Sequence, residues 1–144
     1  MKKVLVSLAI AVAGLTGGVG LTACTSQSSA EVVSASQAAG VTRVGPQAFA
    51  EALAVPGVAI IDVRTPEEFA DGHISGAVNI PVGSADFTQR ISELDPTVTY
   101  AVYCRSGNRS RPAVAAMRDA GIAEIVELES GTKGWVSEGQ TLVR

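Results

Sequence analysis

The sequence predicts one small α/β domain with a mostly parallel sheet, and three observations carry this prediction. The chain has 144 residues, which allows one ordinary domain, and 47% of them are apolar, which is too many for a disordered chain. Apolar runs of strand length alternate with segments that have apolar residues at helical spacing. The strand-like runs lack strict alternation of polar and apolar residues, which is typical of strands covered on both faces.

Four segments are predicted as strands. Val58–Val63 is a continuous apolar run, and Val98–Tyr103 is rich in β-branched and aromatic residues, which favour strands. Ala77–Ile80 and Glu124–Leu128 are shorter candidates. Strands separated by helices in this way are expected to form a parallel sheet with helices on both faces.

Four helices are predicted, at Pro46–Leu53, after Thr65, at Ala85–Leu94 and at Ser110–Ala120. Thr65 and Glu68 have the spacing of a capping box, so the second helix is expected to begin at Pro66. Ser110 is expected to be the N-cap of the last helix, and Gly121 is expected to end it.

Charge and composition exclude several classes of function. Eleven basic and 14 acidic residues give a net charge of −3, and no basic block is present that could follow a phosphate backbone. One histidine and two cysteines are too few for a structural zinc site, which needs four such ligands. We therefore expect no metal, no organic cofactor and no nucleic-acid partner.

The first 23 residues have the layout of a secretory signal. Lys2 and Lys3 precede the apolar run Val4–Ala13, and small residues lead to Leu21–Cys24. This end resembles the lipobox of a bacterial lipoprotein signal, which implies attachment of lipid to Cys24 and cleavage before it. An uncleaved membrane anchor and a plain secretory signal remain open as alternatives.

The segment after Cys24 predicts a flexible tether. Residues 25–39 include five serines and two glutamines, a composition typical of linkers. The predicted organisation is a signal peptide at 1–23, a lipidated Cys24 with a tether at 24–41, and a folded domain at 42–144. This organisation would anchor the domain to a membrane of the bacterial cell envelope, outside the cytoplasm.

The predicted chemistry lies in the segment that follows the strand ending at Tyr103. Cys104 begins a short loop that leads directly into the last helix. Such a loop can turn its backbone N–H groups inward to hold an anion, and Gly107 permits a positive φ there. Arg105 and Arg109 add two positive charges. We expect Cys104 to be a thiolate at neutral pH, because comparable environments lower a thiol pKa from ~8.5 to as low as ~3.5.

Four motifs occur in order along the chain: Ile61–Phe69, Gly72–Pro81, the loop Cys104–Ser110 and the glycine–tryptophan segment Gly131–Trp135. Together they resemble the motifs of the single-domain rhodaneses, the thiosulfate sulfurtransferase family. One departure is Ser130, because the last motif of that family usually begins with two glycines. The resemblance implies a five-stranded parallel sheet with helices on both faces.

The resemblance also implies a double displacement in which Cys104 is the nucleophile. Cys104 would take the outer sulfur of thiosulfate, release sulfite, and pass the sulfur from a persulfide to cyanide or a thiol. Arg105 and Arg109 would hold the sulfonate oxygens, while Ser106, Gly107 and Asn108 would supply backbone donors. The expected partners are therefore a small anionic sulfur donor and a thiophilic acceptor.

Two other functions remain open. The same loop suits a non-catalytic module that carries persulfide sulfur or binds a small anion. A phosphatase or arsenate reductase is disfavoured, because their loop has one residue more between cysteine and arginine than the four between Cys104 and Arg109. Ser110 stands where such an enzyme needs its arginine.

Five further residues are assigned mainly structural roles. His73 is expected to support the turn before a strand rather than to form a dyad with Cys104. Asp62 is expected to accept hydrogen bonds at the end of the first predicted strand, and Arg64 to pair with Asp62 or with a nearby glutamate. Trp135 is expected to anchor the core, while Tyr103 could belong either to the core or to the site.

Overall fold

The computed structural model describes residues 40–144 and shows a five-stranded sheet in which all strands are parallel. The strand order is β1-β5-β4-β2-β3. The strands are β1 Val41–Val44, β2 Ala59–Asp62, β3 Ala77–Asn79, β4 Thr99–Tyr103 and β5 Glu124–Leu128. The predicted α/β class and the parallel sheet are thus confirmed. The predicted signal peptide at 1–23 and Cys24 lie outside the described residues.

Strand β1 is absent from the sequence prediction. It has only four residues, three of which are exposed, and it pairs with β5 alone at the edge of the sheet. An exposed edge strand buries too little apolar surface to leave a pattern in the sequence. Its position becomes evident only from its register, in which Val41 lies opposite Ile125.

Residues 40–144 contain five helices, of which four connect successive strands and the fifth follows β5. They are α1 Pro46–Leu53, α2 Pro66–Asp71, α3 Phe87–Ser92, α4 Ser110–Asp119 and α5 Gly131–Ser137. Helix α5 is not predicted by the sequence, because two glycines within seven residues give it a low helix propensity. No helix within residues 40–144 is long and apolar enough to cross a lipid bilayer.

The capping box of α2 is confirmed. The Thr65 Oγ1 accepts a hydrogen bond from the Glu68 N–H at 3.3 Å, and the Thr65 N–H donates to the Glu68 carboxylate at 3.3 Å. These reciprocal bonds satisfy backbone donors that the first turn of a helix leaves free.

The predicted N-cap of α4 is wrong. Arg109 occupies the N-cap position with helical backbone angles, and no side chain caps the helix. Ser110 is the first helical residue, and its hydroxyl points inward and donates to Glu127 Oε1 at 2.7 Å. As an N-cap, this hydroxyl would accept a hydrogen bond from a solvated helix N–H group. In the structure it donates instead to a buried carboxylate, and a hydrogen bond to an ionised group is the stronger of the two.

Two apolar clusters cover the two faces of the sheet, and β4 contributes to both. Val102 and Cys104 point into the cluster under α3 and α4, whereas Ala101 and Tyr103 point into the cluster under α1 and α5. This alternation follows from the period of two in a strand. Cys104 thus lies at the carboxyl end of a strand that is buried on both faces.

The strand order creates a crevice between β2 and β4. Helix α2 leads from β2 toward β3 on one side, and α4 leads from β4 toward β5 on the other side. Where neighbouring connections diverge in this way, a parallel sheet leaves an opening at the carboxyl ends of its strands. Cys104 follows β4 at this opening.

Candidate active site

The Cys104 sulfur lies inside the loop between β4 and α4. The Gly107 N–H donates to Cys104 Sγ at 3.1 Å, and the Ser110 Oγ lies 3.6 Å from the same sulfur. Cys104 is 1% exposed. The sulfur is therefore surrounded by hydrogen-bonding groups rather than by apolar side chains alone.

Two opposing effects act on the pKa of the Cys104 thiol. Burial by itself raises the pKa, because a buried charge loses its hydration. Hydrogen bonds from the Ser106 N–H and from the Ser110 hydroxyl lower it, and the net result is a pKa below the ordinary value. The direction agrees with the thiolate expected from the sequence.

Helix α5 holds the loop from behind. The Thr132 N–H donates to the Cys104 carbonyl at 2.9 Å, and the Lys133 N–H donates to the Arg105 carbonyl at 3.1 Å. Because these two carbonyls point toward α5, the peptide N–H groups of the loop are free to point toward the sulfur. A Cβ on Gly131 would lie 2.5 Å from the Cys104 carbonyl oxygen, so this close approach requires glycine.

Ser130, the departure from the expected glycine pair, fits the backbone without strain. Its φ is −92°, which any residue adopts, whereas the positive φ of 59° falls on Gly131. The Ser130 Oγ is buried and has no hydrogen-bond partner among residues 40–144. The substitution therefore leaves the loop geometry intact and adds one unpaired hydroxyl beside Gly134.

Arg109 is engaged by a carboxylate rather than free for a substrate. Its two terminal nitrogens donate to the Glu68 oxygens at 2.6 and 2.7 Å. Hydrogen bonds from Arg109 lower the pKa of Glu68 to about 2. The sequence predicts Glu68 as part of the helix cap and as one possible partner of Arg64, whereas the structure pairs it with Arg109, so that Glu68 also ties α2 to the loop.

The other predicted loop residues are placed as follows. Arg105, Ser106 and Asn108 are exposed on the loop. Arg105 forms no salt bridge with any carboxylate in the described part of the chain. Gly107 is buried with a φ of 82°. With Arg109, these four residues make up the loop that follows Cys104, and Arg105 is its charge without a salt bridge among residues 40–144.

Asp62 and Arg64 form a buried ion pair behind the site. The Arg64 Nη2 donates to the Asp62 carboxylate at 2.6 Å and to the Gly72 carbonyl at 2.7 Å. Of the partners expected for Arg64, the structure selects Asp62. Both residues are buried, so the pair holds the loop after β2 in place.

The remaining side chains have structural contacts. The His73 ring stacks on Phe69 at 3.9 Å, and it makes no hydrogen bond with Cys104. Trp135 is buried and donates to the Thr141 carbonyl at 3.0 Å. The Tyr103 hydroxyl accepts from the Ile74 N–H at 3.0 Å and is buried, which places this side chain in the core.

A cavity of about 450 Å³ lies beside the loop. It is lined by residues 63–67, residues 81–84 and Arg109. These segments follow β2 and β3, so the cavity lies next to the opening between β2 and β4, and Arg109 is its lining residue from the Cys104 loop. No three His, Cys, Asp or Glu side chains converge to hold a metal ion anywhere in residues 40–144.

Sequence reasoning missed Glu127 and Arg43. Glu127 is 1% exposed on β5, and its carboxylate accepts from the Arg43 Nε at 2.8 Å and from Ser110. The only signal in the sequence is a glutamate inside an apolar strand, two residues after Ile125 on the same face. Buried carboxylates are rare unless they are paired, so such a residue indicates a polar network.

The fold and the site together define an α/β domain with a buried, hydrogen-bonded cysteine in the loop at the carboxyl end of a strand. A sequence model of the rhodanese-like domain family matches residues 45–138, and the chain therefore belongs to this family. The domain is similar in structure to a rhodanese-related protein from Thermoplasma volcanium. The TM-score is 0.62 at 30% identity, over 71% of this chain and 97% of that protein.

Curated relatives include proteins named as sulfurtransferases. A sulfurtransferase of Allochromatium vinosum is 34% identical over 86 residues, which cover 60% of this chain and 78% of the relative. The thiosulfate sulfurtransferase GlpE of Pseudomonas fluorescens is 35% identical over 91 residues, or 62% and 81% of the two chains. The probable adenylyltransferase/sulfurtransferase MoeZ of Mycobacterium tuberculosis is 36% identical over 83 residues, 58% of this chain, which span only 21% of that protein.

Proposed function

We propose that the protein is a sulfurtransferase that moves a sulfane sulfur from thiosulfate or a similar donor to a thiophilic acceptor through a Cys104 persulfide. The observation that carries the proposal is the Cys104 sulfur, held within a loop that hydrogen-bonds it and lowers its pKa. Membership of the rhodanese-like family and relatives named as sulfurtransferases support the same reaction class.

The first displacement loads the enzyme. The Cys104 thiolate attacks the outer sulfur of thiosulfate, a new S–S bond forms, and the bond from that sulfur to the sulfonate breaks. Sulfite leaves with the electron pair, and Cys104 carries a persulfide anion. The Gly107 N–H, 3.1 Å from Sγ in the resting site, belongs to the donors that stabilise this anion.

The second displacement removes the sulfur from the Cys104 persulfide. Cyanide or a thiolate attacks the terminal persulfide sulfur, the S–S bond breaks, and the Cys104 thiolate leaves. With cyanide the product is thiocyanate, and no proton is needed in either step. Splitting the transfer in two lets one nucleophile serve a donor and an acceptor that never meet.

The charges around the loop suit a dianionic donor. Arg105 is exposed and unpaired within the described residues, and Arg109 lines the cavity beside the loop. Because Glu68 offsets the charge of Arg109, we infer that Arg105 contributes most to drawing the donor to the loop.

The proposal is tested by loading and turnover of the full-length chain with Cys24→Ser, in which Cys104 is the only thiol. Incubation with thiosulfate should add one sulfur atom to the intact mass, and cyanide should then release thiocyanate over many turnovers. The matched control with Cys104→Ser should neither gain sulfur nor form thiocyanate.

Two results would change the assignment. Sulfur gain without turnover would favour the non-catalytic persulfide carrier over the sulfurtransferase. Failure to gain sulfur from thiosulfate or from another sulfane donor would contradict both functions.

We further propose that the chain is a lipoprotein of the bacterial cell envelope, attached to a membrane through Cys24. The support is the charged start, apolar run and lipobox-like Leu21–Cys24 of the sequence. Expression in bacteria with a labelled fatty acid should label the wild-type chain and leave the Cys24→Ser chain unlabelled. Equal labelling of both chains would contradict the anchor.

A further inference from the structure

Glu68 is a charged residue beside the loop that the two proposed displacements do not use. It lies on α2, and its carboxylate oxygens accept hydrogen bonds from both terminal nitrogens of Arg109, at 2.6 and 2.7 Å. These hydrogen bonds lower the pKa of Glu68 to about 2, so the carboxyl group is ionised at neutral pH. One full negative charge is therefore fixed beside one of the two arginines of the loop.

Arg109 is close enough to Cys104 for their charges to interact. It directly precedes Ser110, whose Oγ lies 3.6 Å from the Cys104 sulfur. Hydrogen bonds with Glu68 raise the pKa of Arg109, and attraction to the charge of Cys104 raises it as well. A charge at this position also acts on any anion that approaches the sulfur. The carboxylate of Glu68 therefore changes the potential that a donor meets at the loop.

The pair of Glu68 and Arg109 reduces the positive charge that the loop presents. A bidentate carboxylate and a guanidinium have opposite unit charges, so the pair as a whole carries no net charge. Arg105 keeps its full charge, because it forms no salt bridge within residues 40–144. The loop from Arg105 to Arg109 thus presents one uncompensated cation, although its sequence contains two.

The number of uncompensated cations decides how much a second negative charge on the donor contributes to its attraction. Thiosulfate carries two negative charges. An organic thiosulfonate carries one, because an organic group replaces one anionic oxygen. Electrostatic attraction grows with the product of the charges, so two free cations would favour the dianion more strongly than one does.

We propose that Glu68 is a specificity-determining residue that neutralises Arg109 and so lets the loop accept singly charged sulfane donors, such as organic thiosulfonates, alongside thiosulfate. The inference rests on the proposed transfer through a Cys104 persulfide. It goes beyond that transfer by naming a class of donor and the residue that admits it.

The reaction with a thiosulfonate balances without a further reactant. The Cys104 thiolate attacks the outer sulfur, a new S–S bond forms, and the bond from that sulfur to the sulfonyl group breaks. A sulfinate leaves with the electron pair, and the persulfide anion remains on Cys104. One thiolate and one monoanion thus give one persulfide anion and one monoanion.

The test compares two donors of nearly the same shape, thiosulfate and the methanethiosulfonate anion, in which a methyl group replaces one oxygen. Each donor is mixed at neutral pH and low salt with the full-length chain carrying Cys24→Ser, and the rate of sulfur gain is followed by intact mass. The ratio of the rate constant for thiosulfate to that for methanethiosulfonate measures the preference for the second charge. Comparing this ratio between variants cancels the intrinsic reactivities of the donors.

Glu68→Gln removes the charge beside Arg109 and keeps a residue type that suits the capping box. Freeing one unit charge should raise the rate about threefold for each negative charge on the donor. The rate should thus rise about threefold with methanethiosulfonate and about ninefold with thiosulfate, so that the ratio rises about threefold. Asp71→Asn is the control, because it removes the same charge from the exposed end of α2, where no salt bridge reaches Arg109. It should leave the ratio unchanged.

A purely structural role of Glu68 would change both rates by the same factor. An unchanged ratio in Glu68→Gln, or an equal rise in Asp71→Asn, would therefore overturn the proposal. If Glu68→Gln does not fold, the salt dependence of the wild type decides. Between about 0.01 M and about 1 M salt, one uncompensated cation predicts a fall of the ratio of about threefold. A fall of about ninefold, as two free cations would give, overturns the proposal.

The same experiment separates this inference from the proposed function. Failure of both donors to add sulfur to Cys104 would contradict the persulfide mechanism and, with it, the role of Glu68. Sulfur gain with an unchanged ratio in Glu68→Gln would contradict the donor specificity alone.

Discussion

Single residues decide whether the loop around Cys104 can close, and Gly107 is the most constrained of them. Its N–H donates to the sulfur, and its φ is 82°. A Cβ at this position would lie 2.0 Å from the Glu129 carbonyl oxygen, which is backbone and cannot move aside. Gly107 therefore combines a positive φ, a close backbone contact and a hydrogen-bond donor to the Cys104 sulfur.

We expect Gly107→Ala to destabilise the protein more than Gly139→Ala does. Gly139 has nearly the same φ, 81°, but open space around its Cβ position, so alanine there should cost only the ~1–2 kcal/mol of a left-handed residue. At Gly107 the clash adds to that cost. Urea unfolding of both variants measures the difference. Equal losses of unfolding free energy would show that the contact with Glu129 is not a constraint.

At the scale of elements, two helices determine the shape of the loop. Helix α5 binds the loop carbonyls through Thr132 and Lys133, and α2 binds Arg109 through Glu68. Both contacts involve the first turn of a short helix. The start of α2 is itself defined by its capping box, so Thr65 helps to place Glu68 opposite Arg109.

We expect the pair of Glu68 and Arg109 to make stability depend on pH in acid. The folded pKa of Glu68, about 2, lies below its ordinary value of 4.5. The stabilisation is therefore present above pH 4.5 and is lost as the pH falls toward 2. Because both side chains are about one third exposed, at 30% and 37%, we expect a loss of only about 0.5–1 kcal/mol.

The measurement is thermal unfolding of the wild type and Glu68→Gln between pH 6 and pH 2, the range that contains both pKa values. The wild type should be the more stable at pH 6, and the difference should shrink toward pH 2. A difference that stays constant over this range would mean that the pair does not respond to protonation of Glu68.

At the scale of the whole molecule, the sheet separates two apolar clusters that support the site from opposite faces. Cys104 belongs to the cluster under α3 and α4, whereas Phe49 lies in the other cluster. Phe49 is fully buried and meets Tyr103 and Trp135 edge to face at 6.4 and 6.0 Å. It thereby joins α1, the central strand and α5.

We expect Phe49→Ala to cost about 3–5 kcal/mol of unfolding free energy, because it leaves a cavity among three elements. The same substitution at the half-buried Phe69 should cost less, since its ring is partly solvated. Denaturant unfolding of both variants makes the comparison. An equal loss of unfolding free energy for the two substitutions would contradict the role of Phe49 as the main core anchor on this face of the sheet.

The sequence by itself determined the α/β class, the order of most elements and the loop that carries Cys104. These features depend on residues that are close together in the chain. Helix periodicity, the capping box after Thr65 and the succession of strand, loop and helix at Cys104 can each be recognised within a short window. The edge strand β1 and helix α5 were not predicted, because an exposed strand and a glycine-containing helix leave only weak patterns of apolar residues in the sequence.

Only the tertiary structure decided which side chains meet. Arg109 pairs with a glutamate 41 residues away, and the Ser110 hydroxyl reaches Glu127, 17 residues away. Such contacts depend on the order and register of the strands and on the face to which each side chain points. None of these is encoded in a local pattern, so the sequence could predict Cys104 as a candidate nucleophile but not the charged network that surrounds it.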